Sequence, residues 1–252
     1  MKTTSSYRII ITATFFFIVG CTKAPVFSVE DFPLSNSANN NGIGASAKEL
    51  LTATKTKLLV EVQYMRGYQL QQQTITNLKN FLQTYLNKPG GIVVTQSEIP
   101  ETGSEIYNLA DIAKIEQQYS TAFNTIDQVS VNVLITNGVY TSGHVLGVSF
   151  RNTSICMFGK IIQQRSGGLP DATLKIESTV LNHEFGHLFG LVDLGSPMQT
   201  DHRDTDHGNH CNNTACLMDY GIESNVISLL QSRTIPVFDA NCRNDLRANG
   251  GK

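Results

Sequence analysis

Apolar positions recur along the chain in two periods, and the order in which those periods alternate predicts an α/β domain. Residues 58–64 form a short apolar run suited to a strand. Over 69–86 the period lengthens. Ile75, Leu78, Leu82 and Leu86 share one helical stripe, which Pro89-Gly90-Gly91 ends. Residues 92–95 read as a strand and 109–119 as a helix. Residues 129–136 alternate and are rich in β-branched side chains, so they read as another strand. Residues 145–150 and 154–162 read as two more, joined by Arg151-Asn152-Thr153. Pro170-Asp171 then opens a helix, Pro being favoured in a first turn. Its apolar positions Leu174, Val180, Leu181, Phe185 and Leu188 are expected to bury one side. Two short helices, 224–230 and 238–246, are expected in a small C-terminal subdomain. The order predicts an α/β (α+β) fold, with helices packed on a mixed, twisted sheet.

The helix opened by Pro170 carries the chemistry. It contains His183-Glu184-Phe185-Gly186-His187-Leu188-Phe189-Gly190, which reads HExxHxxG. Residues four apart on a helix share a face, so His183 and His187 point two imidazoles at one spot, as a zinc ion requires. Glu184 lies beside that spot, placed to take a proton from a zinc-bound water. Gly190 fits a sharp helix end, because glycine tolerates positive φ. A catalytic zinc needs a third protein ligand and one open position. Four candidates follow downstream: Asp193, His202, His207 and His210. For His202 and His207 the expectation is a loop side chain facing water.

The extended motif resembles that of the metzincin zinc peptidases, HExxHxxGxx(H/D), in which Asp193 is the literal third ligand. The run His210-Cys211-Asn212-Asn213-Thr214-Ala215-Cys216-Leu217-Met218 reads HCx4CxM and resembles the archaemetzincin continuation. That resemblance implies His210 as third ligand, Met218 as the Met-turn beneath the zinc, and residues 191–209 as an inserted surface loop. Leu217-Met218-Asp219-Tyr220 is similar to a segment of astacin-like members, which implies that Tyr220 stabilises the transition state as an oxyanion donor. The resemblance is specific only from His183 to Tyr220. The chain lacks the later CxxC pair that completes a second zinc site in archaemetzincins.

Composition adds compartment and partners. Residues 1–20 carry Lys2 and Arg8 before an apolar stretch too short to span a membrane, as in a signal peptide. Ile18-Val19-Gly20-Cys21 resembles a bacterial lipobox, which implies a lipid on Cys21 and an extracytoplasmic domain anchored in the cell envelope. Residues 21–54 read as a flexible tether, with Ser35-Asn36-Ser37-Ala38-Asn39-Asn40-Asn41-Gly42 at its centre. Residues 55–252 read as the peptidase domain. A formal net charge of −2 and no basic run argue against nucleic acid as a partner. Cys156, Cys211, Cys216 and Cys242 remain once Cys21 is set aside. In an oxidising compartment they are expected as disulfides, Cys211 with Cys216 and Cys156 with Cys242.

The expected function is a zinc-dependent endopeptidase acting through Glu-assisted attack of zinc-bound water. It would be monomeric and take peptide or protein substrates extended along an edge strand, 145–150. The alternative is a non-catalytic, zinc-containing surface lipoprotein that binds peptide or glycan. Glu184 argues against that alternative, since a structural zinc needs no general base.

Overall fold

The computed structural model describes residues 40–224, 229–230 and 234–252. The signal segment, Cys21, residues 21–39 of the tether and most of the expected helix 224–230 lie outside them. Among the described residues no helix is long and apolar enough to cross a membrane.

A five-stranded mixed sheet, in the order β2-β1-β4-β7-β6, forms the frame. Its strands are β1 (Lys57–Met65), β2 (Gly91–Ile99), β4 (Gln128–Thr136), β6 (Gly147–Arg151) and β7 (Ser154–Phe158). β1 pairs in parallel with β2 and β4, and β4 with β7, while β6 runs antiparallel to β7 and forms an edge. Parallel central strands are covered on both faces, and β4 shows it: residues Val129 through Thr136 are all buried. A two-stranded ladder pairs β3 (Ile106–Tyr107) with β5 (Val139–Tyr140).

Helices cover the sheet. α2 (Gln72–Tyr85) and α5 (Pro170–Leu188) pack together, and Glu177 of α5 accepts from Thr74 Oγ1 at 2.5 Å. α3 (Leu109–Tyr119) starts with a capping box, Asn108 and Asp111 each accepting from the other's backbone N–H. Its Glu116 accepts from Arg151 Nη1 of β6 at 2.8 Å, which ties the edge strand inward. Burial lifts the Glu116 carboxyl above its ordinary range, with Ser154 and Arg151 opposing. In α5 every residue from Ile176 to Leu188 is buried, so the motif lies in the core and not on one covered face.

Three expectations give way here. The run 154–162 is not one strand. β7 ends at Phe158, and α4 (Gly159–Ser166) starts at once, burying Ile161 and Ile162 from a helix. A short apolar run fits either period, and here the glycine decides. A Cβ on Gly159 would lie 2.6 Å from the Tyr68 ring and 2.9 Å from Thr136 O. The tether also ends earlier than residue 54. α1 (Ala47–Leu51) buries Leu50 and Leu51 completely. Lys88 Nζ fixes that segment by donating to Glu49 O, to Thr52 O at 2.7 Å and to Lys55 O at 2.8 Å. The third expectation, the disulfides, fails because all four described cysteines are free thiols. Cys156 sits on β7 in the sheet core, and burial, with the Glu184 charge, lifts its thiol well above its usual range. Cys242, its expected partner, lies beside Cys216.

Among the described residues, the C-terminal part is mostly loop. It holds α6 (Gly221–Ser224) and α7 (Ala240–Ala248), the latter capped by Asp239 accepting from Cys242 N.

Candidate metal centres

α5 ends just past His187. Gly190 takes φ 75°, and the chain reverses there. This brings back the segment carrying His210. Ring centroids of His183, His187 and His210 lie 4.7, 5.3 and 5.1 Å apart pairwise, and all three residues are buried. Two of the outer nitrogens are held by backbone: His183 Nδ1 donates to Leu217 O at 2.7 Å and His210 Nδ1 to His207 O at 2.9 Å. Each bond fixes the tautomer that leaves Nε2 unprotonated and facing inward, as metal ligation needs. His183 and His187 Nε2 are 3.1 Å apart. Ligands at the ~2.0 Å of a zinc–nitrogen bond sit about 3.3 Å apart around a tetrahedron, so the nitrogens fit zinc.

Glu184 is 1% exposed, and its Oε2 accepts from Ser149 Oγ on β6 at 2.9 Å. Ser149 could not be found from the sequence, because the contact crosses from the edge strand to the motif helix. Below the histidines lies Met218, fully buried. A Cβ added at Gly186, between the two motif histidines, would meet the Met218 sulfur at 2.2 Å. Tyr220 is 37% exposed. Its ring packs edge-on to His210 and stacks on His207 at 4.1 Å.

Of the four candidates for third ligand, only His210 joins the pair. Asp193 points away, with positive φ and its carboxylate on Arg203 Nη1 at 2.7 Å. His207 holds Asp204 through Nδ1 at 2.7 Å. His202, expected to face water, is 1% exposed and donates from Nε2 to Asp245 Oδ2 at 2.7 Å.

A second cluster adjoins the first. Cys211, Cys216, Cys242 and Asp239 bring one ligand atom each within 4.8 Å of one another. Cys216 and Cys242 Sγ are 3.6 Å apart, and Cys211 Sγ lies 3.5 Å from Asp239 Oδ2. Thiolates at the ~2.3 Å of a zinc–sulfur bond are about 3.8 Å apart around a tetrahedron, so this set fits too. Hydrogen bonds from Cys211 and then Cys242 pull the Cys216 thiol down, helped by the N–H groups of Met218 and Asp239. The chain does lack a CxxC here, but Asp239-Ala240-Asn241-Cys242 keeps its spacing with an aspartate in the first place. That aspartate is the signal the sequence offered.

No family model and no curated protein matches the chain. Among solved structures it is similar to archaemetzincin from Methanopyrus kandleri. The TM-score is 0.50 and the identity 16%, over 78% of this chain and 96% of that one. It is also similar to metalloproteinase-II from Bacteroides fragilis, with TM-score 0.42 and 14% identity, over 88% of this chain and 59% of that one. The chain has an archaemetzincin-like fold, with a twisted mixed sheet and packed helices.

Proposed function

We propose that the protein is a zinc-dependent endopeptidase, anchored to a bacterial membrane by a lipid on Cys21, with its domain outside the cytoplasm. One observation carries the enzymatic reading: three buried imidazoles turn Nε2 to a common point, with an acidic side chain fixed beside them. Zinc held by His183, His187 and His210 supplies Lewis acidity, which polarises a peptide carbonyl and lowers the pKa of water. Glu184 takes the proton of the attacking water and passes it to the leaving amine. Ser149 steadies the carboxylate for both transfers. Tyr220, beside His210, donates to the developing oxyanion. A peptide substrate lies extended along β6, an edge strand that crosses the motif helix next to Glu184. Three thiols and Asp239 form a closed set of four, which suits a structural zinc and not a catalytic one.

Glu184→Gln tests the assignment of the base. The variant should keep its zinc and lose about 10²–10⁴-fold in turnover of a peptide substrate. Wild-type turnover with zinc bound would remove Glu184 from the mechanism.

A further inference from the structure

The insert 191–209 is exposed over most of its length, but it is pinned from beneath at His202. His202 and Asp245 are each 1% exposed and meet through Nε2–H and Oδ2 at 2.7 Å. Asp245 Oδ1 accepts the backbone N–H of Gln199, also at 2.7 Å. One carboxylate on α7 therefore holds the insert at two points. The other edge of the imidazole, Nδ1, lies 3.4 Å from Cys211 Sγ. The backbone adds to this. Asn212 N donates to His202 O at 2.8 Å, Asp204 N donates to His210 O at 2.7 Å, and Arg203 bridges antiparallel to Cys211. Residues 202–204 thus lie as a splint along 210–212, the segment that carries one member of each cluster. Two polar side chains buried this deep are tolerated because they satisfy one another, and a loop with no internal task has no use for such a pair.

We propose that the insert is a positioning element for the metal centres, anchored by the buried His202–Asp245 pair, with His202 the positioning residue for Cys211 and the segment behind His210. The inference rests on the reading of the two clusters as metal centres. Chains of carboxylate, imidazole and ligand orient metal ligands elsewhere, and their loss costs about 10–100-fold in metal affinity. Here the imidazole supports a sulfur ligand and does not itself hold the ion. Because 202–204 also bind the backbone of His210, loosening them is felt at the histidine centre as well.

Titration of the full chain with Co²⁺ tests this without any assay of activity. Thiolate ligation gives a near-ultraviolet sulfur-to-cobalt band, whereas a histidine centre gives only weak visible bands. The wild type should take two equivalents and show the band. In His202→Ala the affinity of the thiolate centre should fall about 10–100-fold and the band should weaken or shift. Asp245→Asn keeps an acceptor for Nε2 and should move the same way by less, so it decides the matter if His202→Ala fails to fold. Asp206→Ala, in the same insert, should change neither. Wild-type affinity and band in both His202→Ala and Asp245→Asn would overturn the inference alone. A wild type that shows no thiolate band overturns the two-centre reading, and the inference with it.

Discussion

Gly186 occupies the fourth place of the HExxH motif, and its role is steric. The Met218 sulfur lies where a Cβ would be, and Phe238 Cε1 stands 3.1 Å from the same point. Both neighbours are fully buried, so neither can retreat into solvent. Gly186→Ala should therefore push Met218 down and splay the two motif histidines, destabilising the fold by about 1–3 kcal/mol as overpacking does. Zinc affinity should fall in parallel. Thermal unfolding with and without zinc checks this, and an unchanged zinc-dependent shift in Tm would show that Met218 does not support the site. At this scale the sequence was informative about types and spacing. His183, Glu184 and His187 could be placed because a helix fixes their relation. His210 could be placed only through a resemblance, since no local rule carries a residue across a loop. Ser149 was illegible for the same reason, since it acts through a contact between elements distant in the chain; Asp239 could be found only by allowing an aspartate in the place of a cysteine in the CxxC spacing.

Elements were legible where one period dominated. β1, β4, α2 and α3 fall close to their expected positions, because each shows a sustained apolar pattern. The boundary between β7 and α4 was hidden, as Met157, Phe158, Ile161 and Ile162 can be buried in either geometry and only packing around Gly159 chooses. α1 was hidden differently. Five residues are too few to show a period, and the helix depends on a distant lysine for its end. That lysine allows a measurement. Burial holds Lys88 down at about 8, against an ordinary value near 10.5, with the Glu49 charge opposing. Between those values the unfolded chain binds a proton that the folded chain has lost, so raising the pH favours the fold. The stability of the wild type relative to Lys88→Met should accordingly rise from about pH 8 to about pH 10.5 and be flat below. Denaturant unfolding of both proteins across that range checks it. A difference that stays constant with pH would mean that Lys88 titrates as if exposed.

The whole molecule joins a readable frame to an arrangement that only the folded chain reveals. The mixed sheet followed from the alternation of periods, and the fold is archaemetzincin-like. The cysteines were misread because compartment was used to choose their chemistry. Three of them and Asp239 converge on one point, while Cys156 stays in the sheet. The C-terminal part is therefore organised around side chains more than regular elements. Its segments meet the motif helix through Leu217 O on His183 and Met218 under Gly186. On this account the two centres share one segment, residues 210–216, and the histidine centre is the one that turns over. The most direct measurement is cleavage of a peptide library by the zinc-loaded protein, starting after Cys21, beside the same protein stripped by a chelator. Internal cuts that vanish on chelation and return with added zinc are the predicted result. Zinc-loaded protein with two ions bound and no cleavage of any peptide would contradict the account, leaving a zinc-containing binding protein in its place.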